Sequence, residues 1–541
     1  KKAEDPLRKL RDKMANKKIK FDFRRLSVRE TEAILRRMKS SSACGPDGIS
    51  SAMIRPVLKI LAPALTQVIN RSLSEGTFPS VYKCAKVFPV FKNKGSRTDS
   101  SNYRPISNLP IFGKCQEIAI DIQLREHCER HKLFGTHQHG FRKHRSTTTA
   151  LLTTITRLRT DKKKKYRGIL LYDLSAAYDV LSPEVFLDKL KLIGVSEKSL
   201  SWFASYLSDR SQVVQVNEAV SKPLKLSTGT PQGGSCSCLI FALFVGDIEL
   251  WVDDAYITAY ADDTMVLVEA DTLDELRQKL MTEGEKVLSF FASNKLVANP
   301  SKTGLLIFRP KSSQNPEGSV AIELGGENIK ESDEEKVLGV IVTKDLKWSR
   351  HAGKIKSECL YRMSVLRRLR SHLSSRQLKT IAEGIIMSRL RYCLPVWGAE
   401  FVRLSESDPQ CSIAQELQVV QNDTIRIITG NKRRDHVKVQ DMLNETNMLS
   451  INQLAGYSML IELWKARMFG VPHLDKLHES DRSDTRTLRS DSANHVRSSG
   501  TETFTLRSEK LWNASSTRFR QTNLLVVAKK EARLTALQLP L

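Results

Sequence analysis

Tyr260-Ala261-Asp262-Asp263 decides how this chain is read. Ala255-Tyr256-Ile257-Thr258-Ala259 precedes it and Thr264-Met265-Val266-Leu267-Val268 follows. Both runs are rich in β-branched, aromatic and apolar residues, which predicts two short strands joined by a tight acidic turn. Adjacent carboxylates in a turn repel each other and have no neighbouring base. Such a turn is a poor structural device and a good holder of a divalent cation. Alone, the tetrapeptide also suits a chance surface hairpin; a third carboxylate upstream tips the balance.

That carboxylate is Asp173. It ends the apolar run Gly168-Ile169-Leu170-Leu171-Tyr172 and precedes the small, helix-forming Ser175-Ala176-Ala177. A carboxylate at the end of a buried strand, beside an acidic hairpin, makes an all-oxygen site suited to two Mg²⁺ ions, with Mn²⁺ as an alternative. The other use of Asp173 is as N-cap of a following helix. Asp179 lies beyond the strand end and reads as structural. Between the acidic segments lies Ser227-Thr228-Gly229-Thr230-Pro231-Gln232-Gly233-Gly234-Ser235, whose glycines let backbone approach a ligand closely. The apolar run Leu239 to Val245 after it reads as a helix or a buried strand.

In this order the three segments resemble reverse transcriptases. Asp173 matches the first catalytic aspartate, Gly229 to Gly234 the Gln-Gly loop, and Tyr260 to Asp263 the Tyr-x-Asp-Asp box. Further pieces resemble the non-LTR (LINE-type) retrotransposon enzymes. They are Ser42-Ala43-Cys44-Gly45-Pro46-Asp47-Gly48-Ile49, Asn102-Tyr103-Arg104-Pro105-Ile106-Ser107, and Gly140-Phe141-Arg142 with Ser146-Thr147. Ser205 to Arg210 and Asn299-Pro300-Ser301-Lys302-Thr303 join them, so the resemblance covers roughly residues 25 to 470. The chain departs from the family pattern at three places. Tyr178 stands where Phe is usual, Gly234-Ser235-Cys236-Ser237-Cys238 replaces Gly-Ser-x-x-Gly-Pro, and His144 replaces a common Gly. The Gly233-Gly234 pair is closer to group II intron enzymes.

The resemblance implies an α/β, right-hand polymerase with fingers, palm and helical thumb, followed by a mainly helical C-terminal region. It implies RNA-directed DNA polymerisation on element RNA, target-primed. Asp173, Asp262 and Asp263 are the implied metal ligands, with Asp263 the more peripheral. Arg104 is the implied triphosphate clamp, its planar fork able to pair two phosphate oxygens. Lys92 is a further candidate there, for which Lys94 could substitute. Tyr178 takes the position of the gate against a ribose 2′-hydroxyl, Gln232 and Gly233 line the nucleotide, and Lys302 is placed to protonate the pyrophosphate. Each cation has ordinary surface charge as its plainer reading, and Tyr178 has core packing. The implied partners are an RNA template, a DNA primer or target DNA, and dNTPs. Endonuclease and RNA-binding functions fall to missing segments or other proteins, since neither an endonuclease nor an RNase H domain is visible. The implied location is the nucleus, with a cytoplasmic ribonucleoprotein stage.

Charge agrees with a polynucleotide partner: 86 Lys+Arg stand against 60 Asp+Glu among 541 residues, a net +26. The sequence offers no evident stretch of about twenty uncharged apolar residues of the kind a membrane span needs. The Lys-rich start lacks an apolar signal core, and the absence of an initial Met suggests a fragment. Nine scattered cysteines without a Cys-x₂-Cys and His set predict a reduced, intracellular chain without zinc.

Domain boundaries are predicted at 1–40 for a charged helical extension, 41–165 for fingers, 166–348 for the palm and 349–405 for the thumb. A helical region spans 406–541, with a polar loop near 480–500. The fingers end on a lysine run, Asp161 to Lys165, that reads as a solvated loop. Lys336 to Val342, leading to Trp348, reads as a hairpin and matches the family's primer grip. After it the period changes: Leu360, Met363, Leu366, Leu369 and Leu373 predict one helical face, and Leu378, Ile381, Ile385 and Leu390 another. Arg362, Arg367, Arg368 and Arg370 lie between them. Alternatives are a group II intron-type enzyme, against which the Asn102 to Ser107 block argues, and a viral RNA polymerase, which needs a small gate where Tyr178 is bulky. A domesticated RNA-binding protein would have lost a carboxylate.

Overall fold

The computed structural model describes residues 4–40, 43–93, 95–136, 138–159, 165–174, 176–299, 302–310, 318–471, 477–479, 496–498 and 503–541. Ser42, Lys94, the lysine run 161–164, Ser175, Pro300 and Ser301 lie outside them, as does most of the polar stretch 480–500. Within that stretch Val496–Ser498 pairs antiparallel with Leu477–Glu479.

Two sheets organise the part that carries the motifs. Strand β1 (Cys84–Phe91) and β2 (Tyr103–Asn108) form an antiparallel hairpin; β3 (Tyr166–Tyr172) stands elsewhere, and β4 (Arg210–Val216) returns to pair parallel with β1. Short β5 (Ala219–Val220) and β6 (Leu224–Leu226) both pair with β4. Next, β7 (Tyr256–Tyr260), β8 (Asp263–Ala270) and β9 (Gly304–Phe308) join β3 in an antiparallel sheet of order β7-β8-β3-β9.

The period of two in these strands builds two cores at once. Ile169, Met265, Leu267, Leu306 and Phe308 face one buried cluster. Their neighbours Leu170, Val266, Val268, Leu305 and Ile307 face the other. The first cluster runs through the helix Thr147–Arg159 and the hairpin of β10 (Glu334–Val337) and β11 (Val340–Thr343), then the helices beyond residue 349. The second takes in the N-terminal helices Arg8–Met14 and Val28–Arg37, through Leu10, Met14, Ile34 and Leu35. The fold is thus mixed α/β, and after residue 349 it is mainly helical, through Ser412–Thr429, Val439–Thr446, Ile451–Phe469 and Leu525–Leu537.

Three local readings are corrected. No helix follows Asp173: the chain makes a turn in which the N–H groups of Asp179 and Val180 donate to the Ala176 carbonyl, and the next helix begins at Pro183. The N-cap reading of Asp173 falls with it. In the helix Ser349–Leu369 the buried stripe is Ile355, Cys359, Met363 and Leu366, while Leu360 is exposed. In the next helical stretch the buried set is Leu378, Ala382, Ile386, Met387 and Leu390, with Ile381 and Ile385 half-buried beside it, and a π-turn at Glu383–Met387 brings Ile386 and Met387 both inside. The run Ser51–Glu75 is, by length and composition alone, apolar enough to cross a membrane, which the sequence reading missed. It buries Ala62, Leu65, Ile69 and Leu73 in the second core.

Candidate active site

Strand register brings the acidic segments together. Tyr172 at the end of β3 lies opposite Thr264 on β8, so Asp173 leaves its strand where Asp263 enters the neighbouring one. Tyr260 pairs with Asp263, leaving only Ala261 and Asp262 to close the turn between β7 and β8. Asp263 is therefore a strand residue. Ala261 takes φ +57°, a left-handed conformation that costs a non-glycine residue energy.

An outside element holds this turn in place. Gln138 bridges to Ala259 in parallel fashion, and the His139 N–H donates to the Ala259 carbonyl at 2.8 Å. That seats Gly140 directly on the acidic turn, where a Cβ would overlap the Ala261 nitrogen. The Gly-Phe-Arg segment is thus a buttress of the carboxylates.

The charges of the three carboxylates act on one another. Desolvation raises Asp262 above the ordinary carboxylate range and the Asp173 charge adds to it, while its own backbone N–H and Arg104 oppose the rise. Surrounding protein, then the charges of Asp262 and Asp173, push Asp263 up to about 6. Lys302 Nζ lies 3.7 Å from Asp173 Oδ2, both groups half or more exposed, a weak pair in water. All donors here are hard oxygens, and uncompensated negative charge concentrates at one strand end, so the donor chemistry fits a divalent cation. Ready ligand geometry is not preset: among the described residues no group of three or more His, Cys, Asp or Glu side chains stands closed around a metal position.

Around the carboxylates stand the remaining candidates. Tyr178 is half-buried, stacked on Phe241 (centroids 4.9 Å apart, 28° between planes) and edge-on to Phe141 at 6.5 Å. The Cys238 thiol lies beside its phenol, and Asp262 is close enough for its charge to be felt there. Arg104 is exposed on β2, opposite Val90, with its charge reaching Asp262. Lys92 sits at the tip of the β1–β2 hairpin, Nζ donating to the Ser101 carbonyl at 2.9 Å. Gln232 gives its amide to Asp179, at 3.1 and 3.0 Å from the two carboxylate oxygens, so Asp179 has a partner that the sequence reading missed. The Gln232 carbonyl accepts the Ser107 N–H of β2 at 2.7 Å. Gly233 has φ +123°, and a Cβ there would lie 2.6 Å from the Ser107 carbonyl. The run after this loop is the helix Ser237–Phe244, not a strand.

The loop also grips the turn that carries Tyr178. The Thr230 N–H donates to the Tyr178 carbonyl and the Gly229 N–H to that of Leu181, each at 2.8 Å. A cavity of about 260 Å³ opens beside it, between β2, β4 and the loop, lined by Pro105, Ser107, Asp179, Arg210 and Gln232. Phe141, Phe241 and Gly140 were missed as site residues. Phe141 and Gly140 sat inside a recognisable motif, but Phe241 was one apolar residue in a run of them.

Residues 91–342 match the family described as reverse transcriptase (RNA-dependent DNA polymerase). That match takes in a little under half of the chain, and the proteins that the chain is similar to over a longer stretch are named for transposons and mobile elements. It is 25% identical over 419 residues to the probable RNA-directed DNA polymerase from transposon BS of Drosophila melanogaster, covering 75% of this chain and 44% of that protein. The RNA-directed DNA polymerase from mobile element jockey of the same species is 25% identical over 416 residues, with the same coverage. The putative 115 kDa protein in type-1 retrotransposable element R1DM, also from Drosophila melanogaster, is 25% identical over 378 residues, 69% of this chain and 36% of that protein. The chain thus spans less than half the length of these relatives.

Proposed function

We propose that this chain is the RNA-directed DNA polymerase of a non-LTR retrotransposon, extending a primer 3′-hydroxyl with dNTPs on element RNA, with target DNA as the natural primer. The observation that carries the reading is the convergence of Asp173, Asp262 and Asp263 beside Tyr178 and within reach of the Arg104 charge. Asp173 and Asp262 would hold Mg²⁺, with Asp263 at the periphery. When bound, a pair of such ions supplies an activated 3′-hydroxyl and charge stabilisation for the leaving pyrophosphate.

The protein's own groups do the rest. Arg104 orients the triphosphate with its fork, and Lys92 adds charge from the hairpin tip. Tyr178, fixed between Phe141 and Phe241, excludes a 2′-hydroxyl. Gln232 and Gly233 line the nucleotide from the floor, where Gln232 holds Asp179 and Ser107 and Gly233 packs on the Ser107 carbonyl. Lys302, swinging from Asp173, protonates the leaving group. In this reading 41–165 act as fingers, 166–348 as palm with a primer grip at Lys336–Val342, and 349–405 as thumb, flanked by 1–40 and the helical 406–541. Exposed Arg367, Arg368 and Arg370 would meet the duplex backbone. The enzyme would work in the nucleus after a cytoplasmic ribonucleoprotein stage. Kinship with jockey and R1DM supports this over an intron-encoded enzyme. Primer extension on poly(rA)/oligo(dT), comparing dNTPs with rNTPs, tests it: dTTP-dependent extension that needs Mg²⁺ or Mn²⁺ is expected, and none would overturn it.

A further inference from the structure

Glu117 is a carboxylate buried in the middle of the helix Ile111–Arg130, 1% exposed, and the chemistry proposed above leaves it unused. Burying a carboxylate is costly unless its oxygens are satisfied. Here both are. Tyr206 Oη, from the helix Glu197–Leu207, donates to Oε1 at 2.9 Å, and the Ser235 backbone N–H donates to Oε2 at 2.6 Å. Burial pushes the carboxyl up, and the charge of buried Arg210 with those two donors pulls it back. Tyr206 is locked by a parallel stack on Trp202, centroids 5.4 Å apart.

Ser235 follows Gly233-Gly234 directly, so the bond to Oε2 ties down the end of the Gly229 to Ser235 loop. The loop is stiff within itself. The Ser237 hydroxyl lies 2.8 Å from both Thr230 Oγ1 and the Pro231 carbonyl, and the Gly234 N–H donates to Pro231. A displacement at Ser235 is therefore passed to Gln232 and Thr230. These two hold Ser107 and Asp179 on one side and the Tyr178 carbonyl on the other. Ser107 belongs to the strand that bears Arg104.

We propose that Glu117 is a positioning residue that sets the height of the Gly229 to Ser235 loop, and through it the gap between Tyr178 and Arg104 into which the incoming nucleotide fits. Its kinetic arm rests on the polymerase reading. A Gln at this position keeps the volume and can donate Nε2–H to the Tyr206 hydroxyl, but it meets the Ser235 N–H with a neutral amide oxygen in place of a carboxylate, which weakens the bond that ties down the loop.

The test compares Glu117→Gln with Tyr206→Phe, which removes the other donor and leaves the Ser235 bond. In Glu117→Gln we expect the dNTP KM to rise about 5- to 20-fold with kcat changing much less, and the dNTP-over-rNTP preference to shrink several-fold. Template-primer affinity should be unchanged, and Tyr206→Phe should stay within about 2-fold of the parent KM. Amides of residues 227–236 should exchange faster with deuterium in Glu117→Gln and not in Tyr206→Phe. Unchanged KM, preference and exchange in a folded Glu117→Gln would overturn the proposal. So would a lowered melting temperature with loss confined to kcat. If Glu117→Gln does not fold, Glu117→Asp, which keeps the charge but cannot span both donors, carries the same measurements. Should the parent itself add no dNTP, the polymerase reading fails, while the exchange arm still decides the clamp.

Discussion

The acidic turn and the Gly229 to Ser235 loop face the same space but are held in opposite ways. The turn has two residues, a strained Ala261 and carboxylates that repel, and it keeps its place through strand pairing and the pressing of Gly140. The loop satisfies its own polar groups and those of Asp179, Ser107 and Glu117. The first region concentrates negative charge that a cation would neutralise; the second spends its side chains and N–H groups on its neighbours and forms one side of the cavity. Chemistry and shape are thereby assigned to separate pieces of chain.

The largest effect should come from the acidic turn. Asp262→Asn should cut primer extension by about 10³-fold or more while leaving RNA binding, measured by filter retention, near the parent value. Near-parental extension would sink the metal reading. Gly140→Ala tests whether the turn is held from outside. Its Cβ overlaps backbone, so a loss of about 1–3 kcal/mol in denaturant unfolding and a fall in extension should appear together. On the loop side, Arg104→Ala should lower kcat/KM for dNTPs about 10²-fold with template-primer affinity intact. A loss confined to template-primer affinity would move Arg104 to the nucleic-acid backbone. Tyr178→Ala should admit rNTPs about ten-fold better or more; an unmoved dNTP/rNTP ratio would make Tyr178 a packing residue only.

The smallest effect concerns proton linkage. Asp263 titrates near 6 in the folded chain against an ordinary 3.8. Between those values the folded protein holds a proton that the unfolded chain has released, so stability falls as pH rises from about 4 to 6. Asp263→Asn should flatten that fall, giving a melting temperature a few degrees above the parent at pH 7.5 and no gain at pH 4. Mg²⁺ should raise the parent's melting temperature at pH 7.5 and that of the variant less.

What could be read from sequence followed the range of the forces involved. The strands around Asp262 and the hairpin at Lys336–Val342 come from local alternation, and both are where periodicity put them. The π-turn was invisible because one extra residue per turn leaves no compositional mark, and Ala382 was passed over for the more apolar Ile381 beside it, although the buried side runs through Leu378, Ala382 and Ile386. The small residues after Asp173 read as helix on propensity, and from Ala176 on the packing of Gly229 and Thr230 against the turn overrides it. Candidate carboxylates were legible because two adjacent acids in a tight turn repel each other and a third ends an apolar run. Glu117 was not, because a single Glu in a helix usually faces water and only the fold reveals two donors converging on it.

The parallel pairing of β1 with β4 has a consequence in time. Cys84 must wait for Ser211, and at about 5–20 residues per second a ribosome needs roughly 6–25 s to deliver it. During that interval the β1–β2 hairpin shows a bare edge, and open edges recruit other strands. Synthesis speed across residues 92–210 therefore bears on how much of the chain reaches its finished form, and a chain released before β4 emerges leaves that edge unpaired.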